Sequence, residues 1–277
     1  MSTESTLSPT QHRILLSAVV LLASLPLTAC ATQLSPTVAH VDGREVEVVE
    51  AGSGEATVVF EAGFGNDWSP WDAAASEVAL EARVFAYSRP GYGASESTDT
   101  PRDPAHIVED LRALLAARGY SPHYVLVGHS FGGTYVELFA KSYPDEVAAL
   151  VLVDARHRDF TAACAEAGLS GCALPDSAGA SLRGVERDEY AGFALAADQI
   201  AAAGGFGDHP VRVLTGTSHG FSQPVEALWV SMLGALAGEA EEGEQVVYQG
   251  AGHYLQLGHT AEVVEVVLSV LPATAAP

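Results

Sequence analysis

The chain has 277 residues, 48% of them hydrophobic and 17% charged, and its formal net charge is −22. This composition supports a large buried core and excludes global disorder. The negative charge argues against a nucleic-acid partner, because phosphate groups would be repelled. We interpret it as an acidic, solvated surface.

The N-terminal region has the features of an export signal. An apolar run over residues 14–27 follows a histidine and an arginine and is shorter than a membrane span, which predicts a signal peptide over residues 1–29. The run ends in Leu-Thr-Ala-Cys, which resembles the lipobox of bacterial lipoproteins and implies a lipid on Cys30. We expect residues 30–39 to be a tether and the protein to be exported and anchored to a membrane of the bacterial cell envelope. A secreted protein or an uncleaved anchor are the alternatives.

Two further cysteines, Cys164 and Cys172, remain once Cys30 carries lipid. Because export permits disulfides, we expect these two to form one. A metal site is disfavoured here, since no histidine or third cysteine lies at ligand spacing. A nucleophilic cysteine is also disfavoured, since nothing nearby would lower the pKa of either thiol.

The elements before the sixth strand follow a regular order. Alternating polar and apolar residues around Asp42 and Gly43 predict an antiparallel hairpin over residues 40–50. Strand and helix patterns then alternate, which predicts a mostly parallel sheet with helices on both faces. The predicted strands cover residues 56–61, 83–87, 123–127 and 147–153, and the predicted helices cover residues 68–82 and 103–118, the second beginning with Asp103 as its N-cap.

The alternation is interrupted after the sixth strand. Residues 154–209 contain no strand-like run and are rich in alanine and other helix-favouring residues. Strand patterns return at residues 211–214 and 245–248, and helix patterns at residues 224–236 and 261–270. We therefore predict one domain over residues 40–277, with a helical cap inserted at about residues 155–208.

A strand-to-helix turn carries the candidate nucleophile. The apolar run before it enters Gly-His-Ser-Phe-Gly, and a helix pattern follows, which is the context of a nucleophile elbow around Ser130. The turn is strained and tightly packed, so Gly128 and Gly132 are expected because a Cβ would clash there. The following helix N-terminus can stabilise a developing negative charge.

These features resemble the α/β-hydrolases over nearly all of residues 40–271. The segment Arg-Pro-Gly-Tyr-Gly-Ala-Ser at residues 89–95 is similar to the loop after the fourth strand of that family, with Ser88 where many members carry aspartate. The segment Gly-Ala-Gly-His-Tyr at residues 250–254 is similar to the loop that carries the catalytic histidine. The resemblance implies an α/β-hydrolase fold with a serine–histidine–acid triad.

A serine hydroxyl needs a base to act as a nucleophile at neutral pH. The resemblance implies His253, which follows the last strand in a glycine-flanked loop. Three other histidines are less suited to this role. His129 adjoins the serine but should point away from it, His219 lies in the loop after the seventh strand, and His259 lies at the final helix.

The acid of the triad departs from the usual pattern of the family. Most members carry it after the seventh strand, but the loop at residues 215–220 contains no carboxylate. Some members carry it after the sixth strand, and this strand ends directly in Asp154. We therefore predict Asp154 as the acid, with Asp159 as the second candidate and a dyad assisted by water as the third. Asp154 could instead cap the following turn.

The oxyanion hole is expected to use backbone N–H groups only. The elbow implies that of Phe131, the residue after the nucleophile. The loop after the third strand resembles the His-Gly segment of the family with Ala62 in place of histidine, and implies the N–H of Phe64.

The combined prediction is a serine hydrolase that cleaves a small, apolar ester through an acyl-enzyme, with no cofactor and no metal. An amide, thioester or lactone is a less favoured substrate. Serine at the elbow argues against the dehalogenase and epoxide hydrolase chemistry that relatives perform with aspartate. A non-catalytic envelope lipoprotein that uses the fold as a binding scaffold is the alternative. Cap aromatics could line an apolar pocket or only pack on the core: Phe160, Tyr190, Phe193 and Phe206.

Overall fold

A computed structural model describes residues 34–41, 43–173 and 179–272. The predictions of a signal peptide and of lipid on Cys30 lie outside these residues. No helix in the described part is long and apolar enough to cross a membrane. The first strand begins at Thr37, so it includes the end of the segment predicted as a tether.

Eight strands form one sheet in the order β1-β2-β4-β3-β5-β6-β7-β8. The first two form the predicted hairpin and pair antiparallel, β2 pairs antiparallel with β4, and the other pairs are parallel. The prediction of a mostly parallel sheet is therefore confirmed. The strands are β1 Thr37–Val41, β2 Arg44–Ala51, β3 Thr57–Glu61, β4 Arg83–Tyr87, β5 Tyr124–His129, β6 Val147–Val153, β7 Val211–Gly216 and β8 Gly243–Tyr248.

The helices cover both faces of this sheet. Side chains of α1 and α9 pack in one buried cluster, and side chains of α2, α3 and α7 pack in another. Because both faces are covered, β3 and β5 are buried at every residue and their apolar runs are continuous rather than alternating. The helices are α1 Asp72–Val78, α2 Pro104–Ala117, α3 Phe131–Ser142, α4 Phe160–Glu166, α5 Gly184–Gly192, α6 Ala196–Ala202, α7 Gln223–Ala237, α8 Leu255–Gly258 and α9 Thr260–Ser269, with short 3₁₀ turns at Ser69–Trp71, Pro144–Glu146 and Phe193–Leu195.

The cap lies between β6 and β7, as predicted, and its described residues form α4, α5, α6 and a 3₁₀ turn without a strand. The predicted disulfide between Cys164 and Cys172 is present, with a Cα–Cα distance of 6.3 Å. It closes the segment that follows α4.

The residue before α2 lies at the predicted N-cap position and has a further role. Asp103 makes no side-chain capping hydrogen bond, but its carboxylate lies 2.5 Å from Nδ1 of His106 in α2. The carboxylate also accepts a hydrogen bond of 2.6 Å from the amide of Gln199 in α6. The same amide group accepts a 2.9 Å bond from the Ala105 N–H. Asp103 therefore attaches the cap to α2.

Candidate active site

The elbow between β5 and α3 has the strained backbone that its glycines predict. Ser130 has φ 54° and ψ −122°, a conformation that is rare for a residue with a side chain. A Cβ on Gly128 would lie 2.5 Å from the Gly132 carbonyl oxygen, and one on Gly132 would lie 2.4 Å from the Ala62 carbonyl oxygen. Both glycines are therefore required by close backbone contacts, and the second contact also packs the elbow against the loop after β3.

Three predicted side chains meet at the carboxyl ends of the strands. His253 Nε2 lies 2.9 Å from Ser130 Oγ, and its Nδ1 lies 2.7 Å from Asp154 Oδ2. Ser130, Asp154 and His253 follow β5, β6 and β8 respectively. Parallel strands end at the same edge of a sheet, so residues far apart in the chain form one hydrogen-bonded series.

Asp154 is completely buried and its carboxylate accepts hydrogen bonds on both oxygens. Oδ1 accepts from the Gly216 N–H at 3.0 Å and from the Trp229 indole N–H at 3.0 Å. Burial by itself would raise the pKa of Asp154, but hydrogen bonds from His219 and His253 outweigh it and hold that pKa below its usual range. The carboxylate is therefore ionised at neutral pH.

The structure does not bring the other predicted candidates to these positions. Asp159 is half exposed and its carboxylate lies 3.5 Å from Arg158 Nε, on the surface. His259 contacts Glu262 at 3.2 Å. His129 is buried and, as expected, points away from the nucleophile, with its Nε2 2.9 Å from the His253 carbonyl oxygen. Burial lowers the pKa of His129 to about 3, so this ring is neutral.

His219, considered above only as an alternative base, lies instead on the far side of Asp154. Its Nε2 is 2.7 Å from Asp154 Oδ2 and its Nδ1 is 2.6 Å from Glu226 Oε2. Both ring nitrogens face carboxylates, an arrangement that favours the imidazolium, the form in which both nitrogens donate. Burial opposes that charge, but the two carboxylates raise the pKa of His219 above its usual value. Nothing in the sequence linked Glu226 to the site.

Asp154, His219 and His253 are also a candidate set of metal ligands, since one donor atom of each lies within 4.8 Å of the others. Each histidine nitrogen, however, is 2.7 Å from Asp154 Oδ2, which is the length of a charge-assisted hydrogen bond. Protons therefore account for these contacts.

The backbone N–H groups of Phe64 and Phe131 are available as oxyanion donors. Neither makes a hydrogen bond to a described residue, and their side-chain rings pack at 5.2 Å. Arg89 donates to the carbonyl oxygens of Ala62 at 2.6 Å and Gly63 at 2.9 Å. The Gly63 carbonyl and the Phe64 N–H belong to one planar peptide, so Arg89 fixes the orientation of that N–H.

Arg89 also connects this loop to the cap. Its buried guanidinium contacts Glu61 at 2.7 Å and Glu189 of α5 at 2.7 Å. Tyr87 donates to Glu61 at 2.6 Å. These contacts join sequence segments separated by 100 residues, so the cap and the loop after β3 share one buried ionic cluster.

A cavity of about 310 Å³ lies over Ser130. Its lining includes Phe64, Phe131, Tyr190 and Phe221. Of the four cap aromatics considered above, Tyr190 lines the cavity and Phe193 stacks on Phe131 at 3.8 Å. The other two pack elsewhere: Phe160 contacts Trp229 at 4.8 Å and Phe206 contacts Lys141 at 4.5 Å.

Comparison with known proteins gives partial sequence matches. A family model described as the alpha/beta hydrolase fold matches residues 56–168. The uncharacterized protein YbdG of Bacillus subtilis is 33% identical over 120 residues, which are 43% of this chain and 37% of that protein. Epoxide hydrolase 4 of Mus musculus is 31% identical over 124 residues, 42% of this chain and 33% of that protein. The chain thus spans about two fifths of the length of the curated relatives it matches.

Solved structures match over most of the chain. Epoxide hydrolase VrEH1 from Vigna radiata has a TM-score of 0.66 at 18% identity and covers 86% of this chain and 97% of its own. A membrane phospholipase A described as a bacterial virulence factor has a TM-score of 0.62 at 18% identity. The match covers 87% of this chain and 86% of the phospholipase chain. At these identities the matches establish the architecture, which is the fold that the sequence resemblance implies.

Proposed function

We propose that this chain, which has the α/β-hydrolase fold, is a serine hydrolase that cleaves carboxylic esters through an acyl-enzyme. One observation carries the proposal: the ring of His253 bridges Ser130 Oγ at 2.9 Å and Asp154 Oδ2 at 2.7 Å. A nucleophile, a base and a buried acid in that order form the arrangement that activates a hydroxyl group.

Each residue then has a defined part in the reaction. Ser130 Oγ attacks the ester carbonyl carbon while His253 Nε2 accepts the hydroxyl proton. Asp154 holds the Nδ1–H of His253 and stabilises the imidazolium that forms. The N–H groups of Phe64 and Phe131 stabilise the tetrahedral oxyanion. His253 gives its proton to the departing alcohol, and a water molecule, activated by the same histidine, then hydrolyses the acyl-enzyme.

An ester is favoured over an epoxide because of the nucleophile. Some proteins similar to this chain are named epoxide hydrolases. Epoxide hydrolysis in this fold uses an aspartate at the elbow, whereas this chain has Ser130 there. The cavity of about 310 Å³ is at the lower end of the range for ligand pockets, which favours a small substrate.

The test is covalent labelling by a fluorophosphonate together with hydrolysis of p-nitrophenyl esters. We expect wild-type protein to be labelled and to release nitrophenol, and Ser130→Ala to do neither. Ser53→Ala, which changes an exposed serine, is the matched control and should behave as wild type. A folded wild-type protein that neither labels nor turns over would refute the proposal and favour a non-catalytic binding scaffold.

We further propose export and lipid attachment at Cys30, supported by the apolar run and the Leu-Thr-Ala-Cys segment. Expression in a bacterium with labelled fatty acid should label wild-type protein and place it in the membrane fraction. Cys30→Ala should remain unlabelled. Equal labelling of both proteins would contradict the assignment.

A further inference from the structure

Arg156 lies beside the nucleophile. Its backbone N–H donates to the Ser130 carbonyl oxygen at 2.9 Å, and its carbonyl oxygen accepts from the Thr134 hydroxyl. These two bonds fix the backbone of Arg156 against the start of α3. Its side chain lines the cavity that also contains Ser130 and His253.

The guanidinium of Arg156 has no carboxylate partner among the described residues. Nη2 donates to the Thr161 hydroxyl at 2.6 Å and to the Cys172 carbonyl oxygen at 2.7 Å. Nε is buried without a partner, and Nη1 makes no hydrogen bond to the described part of the chain. Burial without a counter-ion lowers the pKa of Arg156 to about 10, so the group stays charged at neutral pH.

The chain has 35 acidic residues and 13 lysines and arginines, so acid partners for its cations are plentiful. Unlike Arg156, Arg89 and Arg158 each contact two or more carboxylates within 4 Å. The described lining of the cavity contains no aspartate or glutamate. A partly buried cation without an acid partner is stabilised when a ligand supplies the negative charge.

We propose that Arg156 binds a carboxylate group of the substrate, so that the enzyme prefers esters that carry a free carboxylate near the scissile bond. The Nη1–H groups are the donors. This inference rests on the proposed ester hydrolysis and adds the substrate class. It also accounts for a polar, charged side chain in a cavity otherwise lined largely by aromatic rings and backbone.

The test compares two substrates with the same six-carbon acyl chain, p-nitrophenyl hydrogen adipate and p-nitrophenyl hexanoate. The measured quantity is the ratio of their kcat/KM values, anionic over neutral. We expect Arg156→Gln to lower this ratio by about ten- to a hundred-fold, the range for a hydrogen bond to a charged group. The change should fall mainly on KM for the adipate, because the contact is present in both the ground state and the transition state. Arg156→Lys should retain part of the preference.

Two further variants exclude other causes. Arg187→Gln removes the same charge from an exposed position in the cap and should leave the ratio unchanged. Residues 174–178 lie outside the described part and contain one acid, Asp176; Asp176→Asn should also leave the ratio unchanged.

The outcomes separate this inference from the proposed function. A wild-type enzyme that hydrolyses the hexanoate but shows no preference for the adipate would overturn the inference and leave the esterase intact. The inference would also be overturned if Arg156→Gln kept the wild-type ratio of kcat/KM values, or if Asp176→Asn raised that ratio sharply. Failure of both substrates with folded wild-type protein would refute the esterase itself.

Discussion

Replacing Asp154 by asparagine tests the assignment of the acid most directly. The Oδ1 position of Asp154 faces two donors, the N–H groups of Gly216 and Trp229. These two groups can only donate, whereas the ring nitrogens of His219 and His253 at the Oδ2 position can also accept. An asparagine in this site therefore places its carbonyl oxygen at the Oδ1 position and its NH₂ group at the Oδ2 position. That NH₂ group faces His253 Nδ1, which lies 2.7 Å from Oδ2 in the native protein.

The expected loss follows from this orientation. An NH₂ group donates to Nδ1, so the proton of the neutral His253 ring moves to Nε2, which then cannot accept the proton of Ser130. The variant also loses the negative charge that stabilises the imidazolium. A wrong tautomer of this kind lowers kcat by about 10⁴-fold, which corresponds to about 5.5 kcal/mol of transition-state stabilisation.

The assay is kcat for a p-nitrophenyl ester at neutral pH, with folding monitored by circular dichroism. Asp159→Asn is the matched control, because it makes the same chemical change at a half-exposed surface site. We expect the control to stay within about two-fold of wild type, as surface changes usually do. A kcat for folded Asp154→Asn within tenfold of wild type would show that this carboxylate is not the acid of the triad.

Three other substitutions test the surrounding structure. His219→Gln should move the acidic limb of the kcat/KM–pH profile to higher pH, by up to about two units. It removes a cation 5.9 Å from the His253 ring, an interaction worth about 2.8 kcal/mol at an effective dielectric constant of about 20. An unmoved limb would contradict the imidazolium. Arg89→Met should lower the free energy of unfolding in urea by about 3–5 kcal/mol, since it leaves buried carboxylates unpaired. Arg187→Met, at an exposed site, should lower it by about 1 kcal/mol or less. Equal losses of stability in the two variants would argue against the buried cluster. Burial lowers the pKa of His129 to about 3, whereas in the unfolded chain this histidine binds a proton below about pH 6.5. The stability that this group contributes therefore falls as the pH falls from about 6.5 to about 3. His129→Asn should therefore reduce the stability lost between pH 7 and pH 5 by about 2 kcal/mol, and an undiminished loss would refute the pKa assignment.

The order of the elements could be predicted because the signals are local. The strand at residues 83–87 was predicted with the bounds that β4 has. The turn at Ser130 was predicted to require glycine at positions 128 and 132, and the close backbone contacts there show why. Each depends on neighbours within a few residues. The disulfide was predicted from the cysteine count together with the expected export of the protein. Local pattern and residue count were thus sufficient for the framework and for the strained turn at Ser130.

The contacts that support the site could not be predicted in the same way. Glu189 reaches Arg89 across 100 residues, and Glu226 is connected to Asp154 only through His219. Such pairs depend on how the cap packs on the sheet, and no periodic pattern in the chain encodes that packing. Similarly, the carboxylate of Asp103 binds Gln199 of the cap as well as His106 of its own helix, and only the second contact is local in the sequence.

The position of Asp154, the acid in the proposed mechanism, has a structural explanation in the neighbouring strand. β6 and β7 are adjacent and parallel, with Val153 paired to Leu214, so residues just beyond their ends lie side by side. Asp154 has φ 45°, and its Oδ1 accepts the N–H of Gly216, the last residue of β7. The carboxylate therefore extends from the end of β6 over the end of β7, the strand after which most members of this fold carry the acid. The residues after β7 then provide a hydrogen-bonding histidine instead of an acid, and His219 and Glu226 form the ionic support of a carboxylate supplied by the adjacent strand.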